Sequence, residues 1–200
     1  MFTQESFKVF DITGLDERME AIREKIQPIF KELDERIKKE LEKELNETLF
    51  IHLAQHRRRS VYPPANTWSA LSNNKRGYKM TPHFQLGIWP EYVFMYLSII
   101  DQPPKKEQMA DLLLQNSLLL TQLPVDTVMN TDHTKDNYEY IAQANVKQAL
   151  ERLKNVKKGE FQVGRIITRD SELWQEPEQA LEYMLATYRC LVPCYQLLQF

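Results

Sequence analysis

The chain has no Asp or Glu between residues 48 and 90, although acidic residues outnumber basic ones, 28 to 26, over its 200 residues. Six Lys or Arg side chains lie in this stretch, so its formal charge is +6, and the rest of the chain carries −8. We call residues 48–90 the basic segment. A charge distribution divided in this way favours binding of a negatively charged partner at one local surface.

Other features are also scarce. Five glycines and no low-complexity tract argue against linkers, so we predict a single domain over residues 1–200. The longest apolar stretch, residues 92–100, is too short to span a bilayer, and residues 1–10 lack the pattern of a secretory signal. Cys190 and Cys194 form no zinc-knuckle spacing and suit reduced core thiols. These features predict a cytoplasmic protein with no membrane partner.

No motif in the sequence names a reaction. The phosphate-binding pattern GxxxxGK[ST], the dinucleotide pattern GxGxxG, the nucleophile elbow GxSxG and the zinc pattern HExxH are all absent. His52 and His56 are four residues apart, but in an extended chain this spacing separates them by roughly 13 Å, too far to share an ion. We therefore predict no metal and no cofactor.

Residues 14–46 show the apolar spacing of a helix, and Pro28 should bend or split it. Its apolar positions recur every three or four residues: Leu15, Met19, Ile22, Ile26, Ile29, Leu33, Ile37, Leu41 and Leu45. Two interpretations stay open. The stripe could be the seam of a coiled-coil homodimer, or it could pack on the chain's own sheet, which is the simpler interpretation for a monomer.

Residues 83–89 alternate between apolar and polar side chains, which predicts a strand. Phe84, Leu86 and Ile88 would face the core, while His83 and Gln85 would lie on the polar face. A turn at Pro90 then leads into residues 92–100, which are apolar on both faces. We predict an antiparallel hairpin with a covered second strand.

The remaining pattern predicts alternating helices and strands. Helices are expected at residues 105–122, at 138–157 and from Pro177 with a disturbance at Pro193, and strands at 126–130 and 160–169. The fold class is therefore predicted to be α+β, with a mainly antiparallel sheet and helices packed on one face.

Four blocks of the chain, in the same order, resemble the signature of the YktB-like proteins, an uncharacterised family from Gram-positive bacteria. They are residues 14–20, 52–68, 74–87 and 155–161, which include HLAQHRRRSVYPPANTW, NKRGYK and NVKKGEF. The resemblance covers nearly the whole chain from about Phe7, with departures at Arg57 and Tyr62. It implies a compact α+β fold and a cytoplasmic bacterial protein, and it supplies no substrate, cofactor or catalytic residue.

The candidate ligand-binding residues come mostly from the basic segment. They are Arg57, Arg58, Arg59, Lys75, Arg76, Lys79, His83, Gln85 and, outside the segment, Arg165. If residues 57–59 are extended, two guanidinium groups share one face roughly 6.6 Å apart and repel each other unless an anion lies between them. The alternative is that acids between Glu32 and Glu47 pair with them. The second cluster, around Gly77, is either an anion-binding turn or an ordinary solvated turn.

His83 and His56 are the candidate acid–base residues, although backbone carbonyls could satisfy a buried histidine equally well. Arg165 stands in an otherwise apolar strand face, so it needs either a core carboxylate or a ligand. Aromatic residues near the basic segment could stack on bases or could simply belong to the core.

Three functions follow from these patterns. The first is a module that binds an anionic, phosphate-bearing ligand: a nucleotide, a sugar phosphate or single-stranded nucleic acid. The second is an enzyme that acts on a phosphorylated or carboxylated small molecule through a histidine. The third is an interaction protein that uses the long first helix.

Overall fold

A computed structural model describes residues 1–57, 59–101 and 103–200. Within this part of the chain the strands are β1 Phe50–Leu53, β2 Thr67–Ser72, β3 His83–Ile88, β4 Tyr92–Ile99, β5 Val128–Asn130, β6 Glu139–Tyr140 and β7 Phe161–Thr168. These seven strands form one sheet in the order β1-β2-β3-β4-β7-β5-β6, and every neighbouring pair is antiparallel.

The α-helices are α1 Gln4–Lys8, α2 Leu15–Ala21, α3 Gln27–Leu45, α4 Lys106–Gln115, α5 Leu118–Thr121, α6 Val146–Asn155 and α7 Pro177–Leu197. Short 3₁₀ turns cover Val9–Asp11, Tyr78–Met80 and Glu172–Gln175. Among the helices that the structure describes, none combines the length and the apolar character needed to cross a bilayer.

The first long helix is interrupted where the sequence predicted. A π-helical turn, Ile22–Ile26, joins α2 to α3, and Pro28 lies in the first turn of α3, where its missing N–H costs no hydrogen bond. Leu33, Ile37 and Leu41 on α3 are each at most 2% exposed. The stripe packs within the chain's own core, so it is not available as the seam of a coiled-coil dimer.

The two faces of the sheet differ in what covers them. Alternate residues of β4, such as Val93 and Met95, join the large core formed with α3 and α7, and we call this side the helical face. Their neighbours Phe94 and Tyr96 belong to a second, smaller cluster on the opposite side, which we call the loop face. The α+β class and the mainly antiparallel sheet are confirmed.

The predicted hairpin is confirmed, because β3 pairs with β4 in antiparallel register from His83↔Ser98 to Ile88↔Val93. One detail differs. Every residue of β3 is buried, so His83 and Gln85 do not lie on a solvated polar face. Connecting loops cover that face instead.

Two predicted helices are shorter in the structure. Residues 138–157 do not form one helix, because Glu139–Tyr140 pairs with β5, and α6 begins only where the Asn145 side chain accepts a hydrogen bond from the Gln148 N–H at 3.0 Å. Residues 105–122 divide into α4 and α5, because the Asn116 side chain bonds back to the Leu112 carbonyl at 2.9 Å.

The last helix, α7, continues through Pro193 to Leu197 rather than breaking there. Its two cysteines differ in environment. Cys190 is exposed, whereas Cys194 is buried, and burial raises the pKa of the Cys194 thiol to about 11. Both thiols are free.

Candidate functional site

A groove lies over the loop face of the sheet, next to β2. It has a volume of about 450 Å³ and is lined by Ala54, Gln55, His56, Arg57, Arg59, Trp68, Tyr78 and Lys79. The lining combines cationic side chains with aromatic rings, and it includes no acidic residue. Three cations of the basic segment, Arg57, Arg59 and Lys79, therefore border this one concave surface.

The arginines approach the groove from a turn rather than from a strand. His56 has a positive φ of 48°, and the Arg59 N–H donates to the His56 carbonyl at 3.0 Å, which reverses the chain here. The extended geometry considered for this stretch is therefore not observed at Arg57 or Arg59. Arg58 lies outside the described residues.

Within the described part of the chain, no carboxylate lies within 4 Å of the Arg57 or Arg59 guanidinium group. Arg59 makes one long contact, 3.5 Å, with the Tyr62 carbonyl. The acids of α3 pair elsewhere: Glu42 with Lys38 at 2.8 Å and Glu40 with Lys43 at 2.9 Å. The alternative in which those acids fold back onto the arginines is not observed for Arg57 or Arg59, the two that the structure describes.

Lys79 borders the groove from the other side. Its ammonium group lies 3.1 Å from the Asp101 carboxylate and 5.6 Å from the centre of the Trp68 ring. The Trp68 indole N–H donates to the Tyr78 hydroxyl at 3.0 Å. Burial raises the pKa of Tyr78 to about 12, so its hydroxyl is neutral and keeps its proton near pH 7.

His56 lines the groove and is uncharged near neutral pH. Burial, followed by the charges of Arg59 and Lys79, lowers the pKa of His56 to about 4. Its Nε2 lies 3.1 Å from the Thr67 hydroxyl. A neutral imidazole in this position can hydrogen-bond to a ligand, but it is rarely protonated and is poorly suited to be a general acid.

His83 lies beneath the groove, with no exposed surface. Its Nδ1 is 2.9 Å from the Thr81 carbonyl and its Nε2 is 3.1 Å from the Gln85 amide nitrogen, so both ring nitrogens are occupied. Burial lowers the pKa of His83 to about 4, so the neutral Nδ1–H tautomer fits both contacts. Gln85 in turn accepts from Gln162 at 3.0 Å. His83 and Gln85 therefore support the floor and do not face a ligand in the groove.

Lys75 and Arg76 lie on the turn that ends at Gly77 and do not line the groove. Both side chains are exposed. The turn is held on the loop face by His52, whose Nε2 lies 2.9 Å from the Asn74 carbonyl. The sequence shows that these cations lie close together along the chain, but it does not show which of them border the concave surface.

Arg165 does not join the groove, which corrects the prediction. It lies on the helical face of β7, in line with Val163 and Ile167, and its guanidinium forms an ion pair of 2.5 Å with Asp126. The Tyr183 ring lies 3.8 Å beneath it. Of the two partners considered for Arg165, the carboxylate is the one observed.

Sequence reasoning missed one feature of the loop face. His133, in the loop after β5, meets Glu160, which comes just before β7, because Asn130 pairs with Gln162 in the sheet. Burial alone would raise the pKa of Glu160, but hydrogen bonds from His133 and from two backbone N–H groups hold it below its usual range. The available signal was a run of Asn, Thr, Asp and His, residues 130–134, that begins at the last residue of a buried strand.

These residues also form the one candidate cation site that the described part of the chain contains. Ligand atoms of Asp132, His133 and Glu160 lie within 4.8 Å of one another. However, each Glu160 oxygen already accepts a backbone N–H and a contact from the His133 ring. The Asp132 Oδ1 likewise accepts from the Thr134 N–H and hydroxyl. The donor set fits an organised hydrogen-bond cluster better than an open metal site.

Comparison with known proteins gives the family. Residues 2–195 match the family model described as a domain of unknown function, DUF1054. A UPF0637 protein of Enterococcus faecalis is 57% identical over 98% of this chain and 97% of its own length. Similar matches are a UPF0637 protein of Exiguobacterium sibiricum, at 42% identity with 99% and 98% coverage, and the UPF0637 protein YsbB of Lactococcus lactis, at 46% identity with 98% coverage of both chains. The resemblance to an uncharacterised Gram-positive family is thus confirmed, and the chain belongs to the DUF1054 family and is a relative of the UPF0637 proteins.

Proposed function

We propose that this protein binds a small phosphate-bearing ligand of nucleotide size in the groove beside β2. The observation that carries the proposal is the pairing state of Arg57 and Arg59. Both border a concave surface, and within the described residues neither has a carboxylate within 4 Å. Arginine in this state offers planar, bidentate donors that match a phosphate.

The rest of the lining supports the same ligand class. Trp68 and Tyr78 provide aromatic surface beside the cations, and the neutral His56 provides one uncharged polar contact. A volume of about 450 Å³ lies within the usual range for small-molecule sites, roughly 300–1,000 Å³. A nucleotide or a sugar phosphate would fit this combination of charge and aromatic surface, with the phosphate at the arginines.

The first prediction concerns the arginines. Isothermal calorimetry with AMP and ribose 5-phosphate, and with adenosine as the uncharged comparison, should show binding of the phosphorylated compounds. The double variant R57M/R59M should lose at least about 100-fold in affinity for AMP, since each of the two arginines contributes a charge-assisted hydrogen bond whose loss costs roughly 1.5–3 kcal/mol. Adenosine should bind both proteins equally weakly.

The chain offers a matched control in K75M/R76M. This variant also removes two positive charges from the basic segment, but from a turn that does not line the groove. We expect its affinity for AMP to stay within threefold of the unaltered protein. Equal losses of affinity in the two variants would show that general charge attraction, and not the groove, is responsible. If neither AMP nor ribose 5-phosphate bound to the unaltered protein, the proposal would be overturned.

Salt dependence separates a small ligand from nucleic acid. A single-stranded RNA partner should lose affinity steeply with salt, with a slope of roughly −0.7 per phosphate contact on logarithmic axes. AMP at two arginines should give a shallow slope and one site per chain. A steep slope with an oligonucleotide, together with no AMP binding, would favour the nucleic acid.

A further inference from the structure

A second cleft, separate from the groove, lies where β4 begins and β7 ends. It has a volume of about 430 Å³ and shares no lining residue with the groove. Its charged lining consists of three carboxylates and one guanidinium group, which gives a formal charge of −2: Glu91, Asp136, Asp170 and Arg169. The cleft is therefore opposite in charge to the groove and suits a positively charged ligand.

The guanidinium group of the cleft is already engaged by neighbouring side chains. The Arg169 Nη1 lies 3.8 Å from the Glu91 carboxylate, and its Nε donates to the Gln4 side-chain oxygen at 3.1 Å. Asp136 and Asp170 are exposed, and among the residues that the structure describes neither has a cationic side chain within 4 Å. Water can solvate exposed carboxylates, so these two charges do not by themselves indicate a ligand.

A buried phenol in the same lining does indicate one. Tyr92 borders the cleft but is only 3% exposed, and its hydroxyl has no hydrogen-bond partner among the described residues. Burial raises the pKa of Tyr92, and the neighbouring Tyr96 and Asp136 raise it further, so the hydroxyl is neutral and lies near the Asp136 carboxylate. Buried hydroxyls are rarely left without a partner, and a donor that reaches both Tyr92 and Asp136 would supply one.

The lining also distinguishes between kinds of cation. Within the described chain, no three carboxylate or imidazole groups of this cleft have ligand atoms within 4.8 Å of one another, and neutral phenols are not usual ligands of hard metal ions. An organic ammonium ion instead carries several N–H donors, which can bond to the Asp136 carboxylate and the Tyr92 oxygen together. The Tyr138 ring, which meets the Tyr92 ring edge to face at 5.2 Å, adds aromatic surface that attracts such ions.

We infer that this cleft binds a small organic cation that bears a primary ammonium group, held by the Asp136 carboxylate and the Tyr92 hydroxyl. The N–H groups of the ligand donate to both oxygens, and the Tyr138 ring lies alongside its alkyl chain. The cleft volume is within the usual range for small-molecule sites, roughly 300–1,000 Å³. Because the cleft and the groove share no residue, this site does not depend on the proposed phosphate ligand.

Isothermal calorimetry at low ionic strength with putrescine and agmatine tests the ligand class. The hexamethyl analogue of putrescine carries the same two charges on the same carbon chain but has no N–H donor. We expect putrescine to bind at one site per chain, and at least about tenfold more tightly than this analogue, because only putrescine can form charge-assisted hydrogen bonds. Equal affinities for the two compounds, or no binding of either putrescine or agmatine, would overturn the inference.

Two variants test the assigned residues. Asp136→Asn should lower the affinity for putrescine at least about tenfold, whereas Glu139→Gln, which alters an exposed acid of β6 outside the cleft lining, should stay within about twofold. Tyr92→Phe should lower the affinity about threefold without lowering the Tm, because the hydroxyl that it removes has no partner among the described residues. The site would be refuted if Asp136→Asn and Glu139→Gln lost the same affinity, or if Tyr92→Phe bound putrescine as tightly as the unaltered protein.

Discussion

Replacing Asp34 with Asn is expected to stabilise the protein above pH 7 by up to about 4 kcal/mol, from about 3 pKa units at 1.36 kcal/mol each. Asp34 projects from α3 into the core and is 1% exposed, and its Oδ2 has no hydrogen-bond partner among the described residues. Burial, and to a smaller extent the charge of Glu35, raises the pKa of Asp34 from 3.8 to about 7.

The pH window follows from the direction of that shift. Below about pH 4 the carboxyl is protonated in both states and contributes no difference. Between about pH 4 and 7 the unfolded chain releases the proton while the folded chain retains it, so the free energy of unfolding decreases as the pH rises. Above about pH 7 Asp34 is ionised in both states, and the free energy of unfolding decreases no further on its account. The Asn variant has no proton to release and should therefore diverge from the unaltered protein across this window.

Urea unfolding at pH 4, 5.5, 7 and 8.5 measures the difference directly. The matched control is Glu35→Gln, which removes one negative charge from the next, exposed position of the same helix. We expect its free energy of unfolding to change by no more than about 0.5 kcal/mol at any pH, as for most surface substitutions. A constant difference between Asp34→Asn and the unaltered protein over all four pH values would contradict a shifted ionisation.

The second large effect is expected at Gly164, in the middle of β7. A Cβ at this position would lie 1.9 Å from the Met95 carbonyl oxygen and 3.0 Å from the Tyr96 Cα, both in the backbone of β4. Backbone in a central strand cannot move aside as a flexible side chain can. We therefore expect Gly164→Ala to destabilise the protein by about 3 kcal/mol or more, at the upper end for overpacking.

Thermal unfolding should show a decrease in Tm of roughly 6 °C or more for Gly164→Ala, at about 2–4 °C per kcal/mol for a chain of this size. Gly77→Ala is the comparison, because Gly77 has a φ of 70° but its Cβ would meet nothing closer than 3.4 Å. That variant should lose only about 1 kcal/mol, from backbone strain alone. If the two variants were equally stable, the close approach of β4 and β7 would not be the reason for glycine at 164.

Periodicity predicted most of the fold because it reports which side of an element is buried. The alternation of Phe84, Leu86 and Ile88 located β3, and the long apolar run after Pro90 located β4 as a covered strand. Periodicity was less informative at 138–145, where Glu139–Tyr140 joins the sheet by pairing with β5 instead of forming the start of the predicted helix. Local sequence does not encode such a partner.

The candidate site was predictable only in part, for a related reason. The absence of acidic residues identified the basic segment. The alternation of side chains along a strand shows which residues share a face, but it does not show whether that face is on the same side of the sheet as the basic segment. Arg165 was therefore grouped with the wrong surface. His133 and Glu160 are 27 residues apart and meet only through the register of β5 with β7. No spacing rule for that pair exists in the sequence.

The two cysteines of α7 differ in solvent exposure, which allows one of them to be labelled selectively. A maleimide dye should attach to Cys190 alone, since Cys194 is buried and retains its proton. The dye would then lie on the helical layer, across the sheet from the groove. A fluorescent reporter can thus be attached to the chain without mutagenesis and without blocking the groove during ligand titrations.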